Sequence, residues 1–84
     1  MSRIISLSNF KLIKARGHGY VTITDKYTGN CVHHVVCNYV AEHNFTQKVL
    51  ENAQKNGAYF FTEDLNQAMN HFPNMRKCQK CFKS

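Results

Sequence analysis

The four cysteines of this chain fall into two clusters, "CVHHVVC" at residues 31–37 and "CQKC" at residues 78–81, about forty residues apart. In a chain of 84 residues this pairing constrains the fold more than any other feature. One domain spanning 1–84 is expected, since pieces below roughly 50 residues rarely bury enough apolar surface to stand alone. Domains near this size commonly supplement their small core with a metal, disulfides or an oligomer interface. The opening "MSRIISLSNFKLIKARG" is interrupted by Ser6, Ser8, Asn9 and Lys11, so it reads neither as a secretory signal nor as a membrane span. The expectation is a soluble, cytoplasmic protein whose thiols stay reduced and serve as ligands rather than disulfides.

The spacing within each cluster then matters. Cys78 and Cys81 have the two-residue gap with which one tight turn presents two thiolates to a tetrahedral ion. A redox dithiol of the same spacing should open a helix early in a βαβ unit, whereas this pair lies near residue 84. For the other half of the site, Cys37 is the first choice, with His33 four residues before it. In a strand those two would sit roughly 13 Å apart, too far to share an ion bound at roughly 2.0–2.3 Å. On a helical turn they are neighbours. The segment is therefore predicted to turn helical at or just after His33. The expected ligands are His33, Cys37, Cys78 and Cys81, and the expected ion is Zn²⁺; Cys31, His34 and His43 compete for the first pair, with His34 or Cys31 the replacements, and His71 and His18 are more remote.

The remaining pattern predicts strands first and helices later. "RIISL" and "FKLIKA" read as strands joined at Ser8 and Asn9. Tyr20 to Thr24 alternate as a strand, and "DKYTGN" is a turn in which Gly29 takes positive φ. Residues 46–55 read as a helix with Val49, Leu50 and Ala53 on one face, stopped at Gly57. "AYFF" is a buried strand. Thr62 is a candidate cap for a helix over 63–72, with Glu63 and Asp64 at its positive end and Leu65, Ala68, Met69 and Phe72 facing the core. The expected architecture is α+β: an antiparallel sheet of about three strands with two or three helices, stapled by zinc.

Charge points to a partner. Residues 1–24 and 65–84 carry +4 each with no acid, while the middle carries −2. A basic balance of this kind suits a polyanion, with DNA the usual one. Arg76, Lys77, Lys80 and Lys83 near one terminus and Lys14 and Arg16 near the other are the candidate phosphate contacts, and Tyr20, Tyr27, Tyr39, Tyr59 and Phe82 are candidate stacking residues. No catalytic constellation is visible, and four protein ligands close a zinc site to catalysis. Neither an enzyme, a membrane protein nor a small-molecule binder is expected. The alternative is a zinc-stabilised interaction module that modulates a larger nucleic-acid-handling enzyme, the role of many small viral accessory proteins.

His33-x-x-x-Cys37, "FFTEDLNQA" and "RKCQKC" together resemble the metal-binding domain of the Ada DNA-repair family over residues 20–84. The resemblance implies a structural zinc site and an α+β fold, with a ligand-x-x-x-Cys pair after a hairpin, an aromatic strand entering a helix, and a closing Cys-x-x-Cys. This chain departs from the family in a longer segment after Cys37, in a proline five residues before Cys78 rather than adjacent, and in two extra residues between Ala68 and Cys78. In Ada the first ligand is a cysteine that accepts a methyl group from a DNA phosphotriester. The matching residue here is His33, so the resemblance implies a stabilising or DNA-contacting module without methyl transfer.

Overall fold

The computed structural model describes residues 2–51 and 57–82. In chain order the elements are β1 (Ser2–Ile4), α1 (Leu7–Arg16), β2 (Tyr20–Ile23), β3 (Asn30–His34), α2 (Glu42–Phe45) running into a π-helical stretch (Thr46–Glu51), β4 (Tyr59–Thr62), α3 (Leu65–His71) and β5 (Met75–Lys77). The expected α+β class is met, but the sheet is larger and mixed. Its five strands run β1-β4-β2-β3-β5, antiparallel except for the pair β3 and β5. Among the described residues no helix is long and apolar enough to cross a membrane.

"FKLIKA" is helical, not extended. Ser6 caps α1 by accepting from the Asn9 amide at 3.2 Å, which satisfies one of the free N–H groups at a helix start. Leu7, Phe10 and Ile13, three residues apart, then form a stripe against the core, with Phe10 and Ile13 buried. The apparent alternation is outweighed by this helical period. The expected helix over 46–55 begins earlier, at Glu42, and is π-helical from Thr46; Val49 is buried, Leu50 is exposed, and Ala53 lies outside the described residues.

The cap of α3 is Asp64, not Thr62. Its carboxylate accepts from the amides of Asn66 (2.9 Å) and Gln67 (3.4 Å), while Thr62 ends β4 and donates to the Gln67 side chain at 2.7 Å. Only Ala68 of the expected stripe is fully buried; Leu65, Met69 and Phe72 are half-buried.

Strand alternation sorts side chains to the two sheet faces. Ile4, Val21, Tyr59 and Phe61 meet α1 and α2 in the main core. There Phe10 stacks on Phe45 with centroids 4.6 Å apart, and Tyr59 stands edge-on to Phe45 at 5.3 Å. Burial pushes the Tyr59 phenol up to about 12. On the other face Phe60 packs on Phe72 at 5.0 Å, below α3.

The β2–β3 turn forms as expected, with Gly29 at φ 90°. Asp25 organises it, accepting from the amides of Tyr27 (2.7 Å) and Thr28 (2.9 Å) and pairing with Lys48 of the π-helical stretch. Burial alone would raise the Asp25 carboxyl; Lys48 and the two amides overcome it and hold the group at about 2.

Gly57 is needed for close approach. A Cβ there would lie 1.8 Å from the Thr24 carbonyl oxygen, beside the point where the Thr24 amide donates to the Ala58 carbonyl at 2.9 Å. Gly57→Ala should therefore cost about 1–3 kcal/mol by overpacking. Thermal unfolding should register a drop of roughly 4–8 °C per kcal/mol in a domain this size; an unchanged melting temperature would contradict this packing.

Candidate metal centre

Two local structures converge at the end of β3. Neither a continuing strand nor a helix joins His33 to Cys37. β3 runs through His34 and then breaks into a tight turn, closed by the Cys37 amide donating to the His34 carbonyl at 3.0 Å and followed by a second from Val40 to Cys37. The turn reverses the chain, so Cys37 comes back beside His33. This corrects the helical expectation while meeting the proximity it was meant to supply.

The second half arrives along β5. Its parallel register pairs Val32 with Lys77, and the Cys78 amide prolongs the ladder by donating to the Val32 carbonyl at 2.9 Å. Cys78 thereby falls beside His33. A turn closed from the Phe82 amide to the Cys78 carbonyl (3.0 Å) then carries Cys81 back, where its sulfur accepts from the His34 amide at 3.3 Å.

The structure thus brings together all four expected ligands. One nitrogen of His33 and the sulfurs of Cys37, Cys78 and Cys81 all lie within 4.8 Å of one another. Cys37 Sγ is 3.8 Å from His33 Nδ1 and 3.9 Å from Cys78 Sγ. A tetrahedral ion with bonds of about 2.0–2.3 Å sets its ligand atoms roughly 3.5–3.8 Å apart, so the cluster has the size of a first coordination sphere. The sulfur separation is far beyond a disulfide bond of about 2.05 Å. These four residues are placed to bind a metal ion.

Their ionisation is compatible with that role. Burial, with the positive Arg76 guanidinium adding to it, lowers His33 to about 4, so the imidazole is neutral at pH 7 and offers a lone pair. For Cys78, burial opposes the thiolate, but the backbone amides of Lys80 and Cys81 and the neighbouring thiols pull it below the usual thiol value. Burial pushes Cys81 up to about 12, helped by Cys37 and Cys78 and opposed by the His34 amide. Crowded thiols cannot all ionise unless a cation compensates them.

The other candidate ligands are committed elsewhere. His34 points to the opposite sheet face, stacked on Phe82 at 4.2 Å and near Tyr20 at 5.2 Å. Cys31 is half-buried, and its sulfur faces the Val32 carbonyl at 3.8 Å; burial, then the nearby Cys78, raises its thiol. His71 packs against Phe72, and His18 and His43 are exposed.

Of the candidate phosphate contacts, Lys14 is otherwise engaged. Its ammonium donates to the carbonyls of Val35 (2.6 Å) and Cys37 (3.3 Å), clamping the ligand turn from α1. Burial lowers its ionisation, with the Cys37 sulfur partly restoring it. Arg16 pairs with Glu63 at 3.8 Å and covers the Phe61 ring. Arg76, Lys77 and Lys80 are exposed, and Lys83 lies outside the described residues.

No protein-family model, curated protein or solved structure matches the chain. Nothing in these comparisons identifies a domain of the Ada family.

Lys14→Met should leave two inward-facing carbonyls without their donor and cost about 1–3 kcal/mol. The expected result is a lower melting temperature and loss of metal at lower chelator concentration, with Lys14→Arg intermediate. A Met variant that matches the parent in both measurements would remove the clamp.

Proposed function

We propose that His33, Cys37, Cys78 and Cys81 hold a structural zinc ion, and that the non-enzymatic module it staples together binds nucleic acid, DNA foremost. Three thiolates and one imidazole in a tetrahedral arrangement are a soft donor set that suits zinc. The set leaves no open position, which fits a structural rather than a catalytic ion. His33 stands where the Ada resemblance would need a methyl-accepting thiolate, so group transfer is not part of the reading.

The observation that carries nucleic-acid binding is how the charges are partnered. The three ion pairs of the described residues join Lys11 to Glu42, Arg16 to Glu63 and Lys48 to Asp25. None involves Arg76, Lys77 or Lys80. Arg76 spends one donor on the Thr28 carbonyl at 2.6 Å, and Lys77 lies 5.9 Å from the Phe82 ring centroid. Of the described cations outside these pairs, Arg76, Lys77 and Lys80 lie together on edge strand β5 and the Cys78–Cys81 turn, the segment that the metal would anchor, whereas Arg3, Lys14 and Lys26 stand apart on β1, α1 and the β2–β3 turn. Unpaired surface cations are available to phosphates, and their condensed counterions are released on contact.

Protein purified without chelator should contain one zinc per chain, and stripping the metal should unfold it, because in a small metal-bound domain binding energy is largely folding energy. Cys78→Ser and Cys81→Ser should be far more damaging than Cys31→Ser. A folded, metal-free chain, or the reverse order of damage, would refute the assignment.

Binding to duplex DNA should weaken steeply with salt, with a slope near −0.9 per phosphate neutralised. Lys77→Gln with Lys80→Gln should flatten it by about two such units. Absence of binding to any nucleic acid, duplex or single-stranded, at about 50 mM salt would turn the assignment to the protein-partner alternative, for which exposed Val36 and Tyr39 beside the metal turn are the supporting observation.

A further inference from the structure

Tyr39 lines two grooves. The first, of about 470 Å³, runs over the ligand turn and is lined by His34, Val36, Asn38, Tyr39 and Lys80 together with the sulfur-bearing Cys37 and Cys81. The second, of about 340 Å³, lies where Tyr27, Asn44, Gln47 and the Asp25–Lys48 pair meet His33 and Tyr59. Tyr39 belongs to both, is 51% exposed, and is held edge-on to His33 with centroids 6.5 Å apart.

The chemistry of the grooves differs in a useful way. Lys80 gives the first a cation with no acid partner among the described residues. In the second, the Asp25 carboxylate is balanced by Lys48, so that groove carries no net charge and offers the amides of Asn44 and Gln47. A phosphate suits the first groove, and an uncharged planar ring with hydrogen-bonding edges suits either. Aromatic platforms flanked by cations are how single strands are held, because every base presents a π-face.

The helices are poorly suited to reading a duplex. Lys11 and Arg16 of α1 are paired with Glu42 and Glu63, and α3 is preceded by the acids Glu63 and Asp64, which repel phosphates. Arg76, Lys77 and Lys80, which have no acid partner among the described residues, lie on edge strand β5 and the following turn instead.

Resting on the reading that this module binds nucleic acid, we propose that its ligand is a single strand, two consecutive bases of which lie on either side of the Tyr39 ring while Lys80 holds an adjoining phosphate. Val36, 63% exposed beside the first groove, supplies apolar contact to the base there. Asn38 on one side and Asn44 and Gln47 on the other meet base edges, without the paired geometry that a duplex would impose.

The test is fluorescence anisotropy of the metal-loaded full chain with labelled oligonucleotides of roughly a dozen nucleotides, at about 50 mM salt. Single-stranded DNA, single-stranded RNA of the same sequence and the DNA duplex are compared. Either single strand should bind more tightly than the duplex, and the two single-strand arms tell DNA from RNA. Tyr39→Ala should weaken single-strand binding by about 5- to 150-fold, Tyr39→Phe should retain it, and Lys80→Gln should reduce the salt slope by about 0.7. Tyr39 is half exposed, so metal content and melting temperature of the Ala variant should stay near the parent's, and Leu12→Ala, at an exposed α1 position, should bind as the parent does. Equal binding of strand and duplex with an inert Tyr39→Ala would overturn this inference and leave the nucleic-acid reading standing. No binding to any of the three would overturn both.

Discussion

The parallel register between β3 and β5 is the constraint from which the metal centre follows. It sets Lys77 opposite Val32 and so delivers Cys78 to His33, although the two lie 45 positions apart in sequence. Each strand ends at that level in a tight turn, and each turn returns a second sulfur to the same point. Sheet pairing thus does the long-range work, and the turns do the local work. A shift of β5 by one residue would send Cys78 to the opposite face, because strand side chains alternate.

The ligand turn is also supported from outside the sheet. Lys14 reaches from α1 to the carbonyls of Val35 and Cys37, so the helix that packs Phe10 and Ile13 into the core also holds the peptide planes next to a ligand. Outer groups of this kind orient metal ligands. The His34 amide does the same for Cys81. Core, helix and metal turn therefore form one continuous unit rather than a fold with a site attached.

The sequence made the ligands legible because their chemistry is local: a two-residue gap implies a turn, and a His/Cys pair at four implies a chain reversal. The means of reversal is not legible, since proximity of His33 and Cys37 admits both a helix and a strand that breaks at His34. The central strands were legible in the alternation of Tyr20 to Thr24 and the apolar run before Thr62. β5 was not. Met75, Arg76 and Lys77 carry no apolar alternation, and their pairing to β3 depends on a partner distant in sequence. α1 was missed because "FKLIKA" fits two periods, and only the Ser6 cap and the depth of the core pocket for Phe10 select between them. Lys14 looked like a surface cation because the carbonyls it serves lie 21 and 23 residues away.

The order of the elements along the chain has a consequence during synthesis. His33 and Cys37 leave the ribosome long before Cys78 and Cys81, which at roughly 5–20 residues per second means an interval of several seconds. Throughout it the nascent chain owns two ligands, too few for a closed tetrahedral site, and the far side of β3 has no neighbour to hydrogen-bond. An unpaired strand edge of that kind is a template for pairing with other chains. Strand β5 therefore completes the sheet and the coordination sphere in the same act, and until residues 75–81 are made the outer edge of β3 stays open to pairing with other chains.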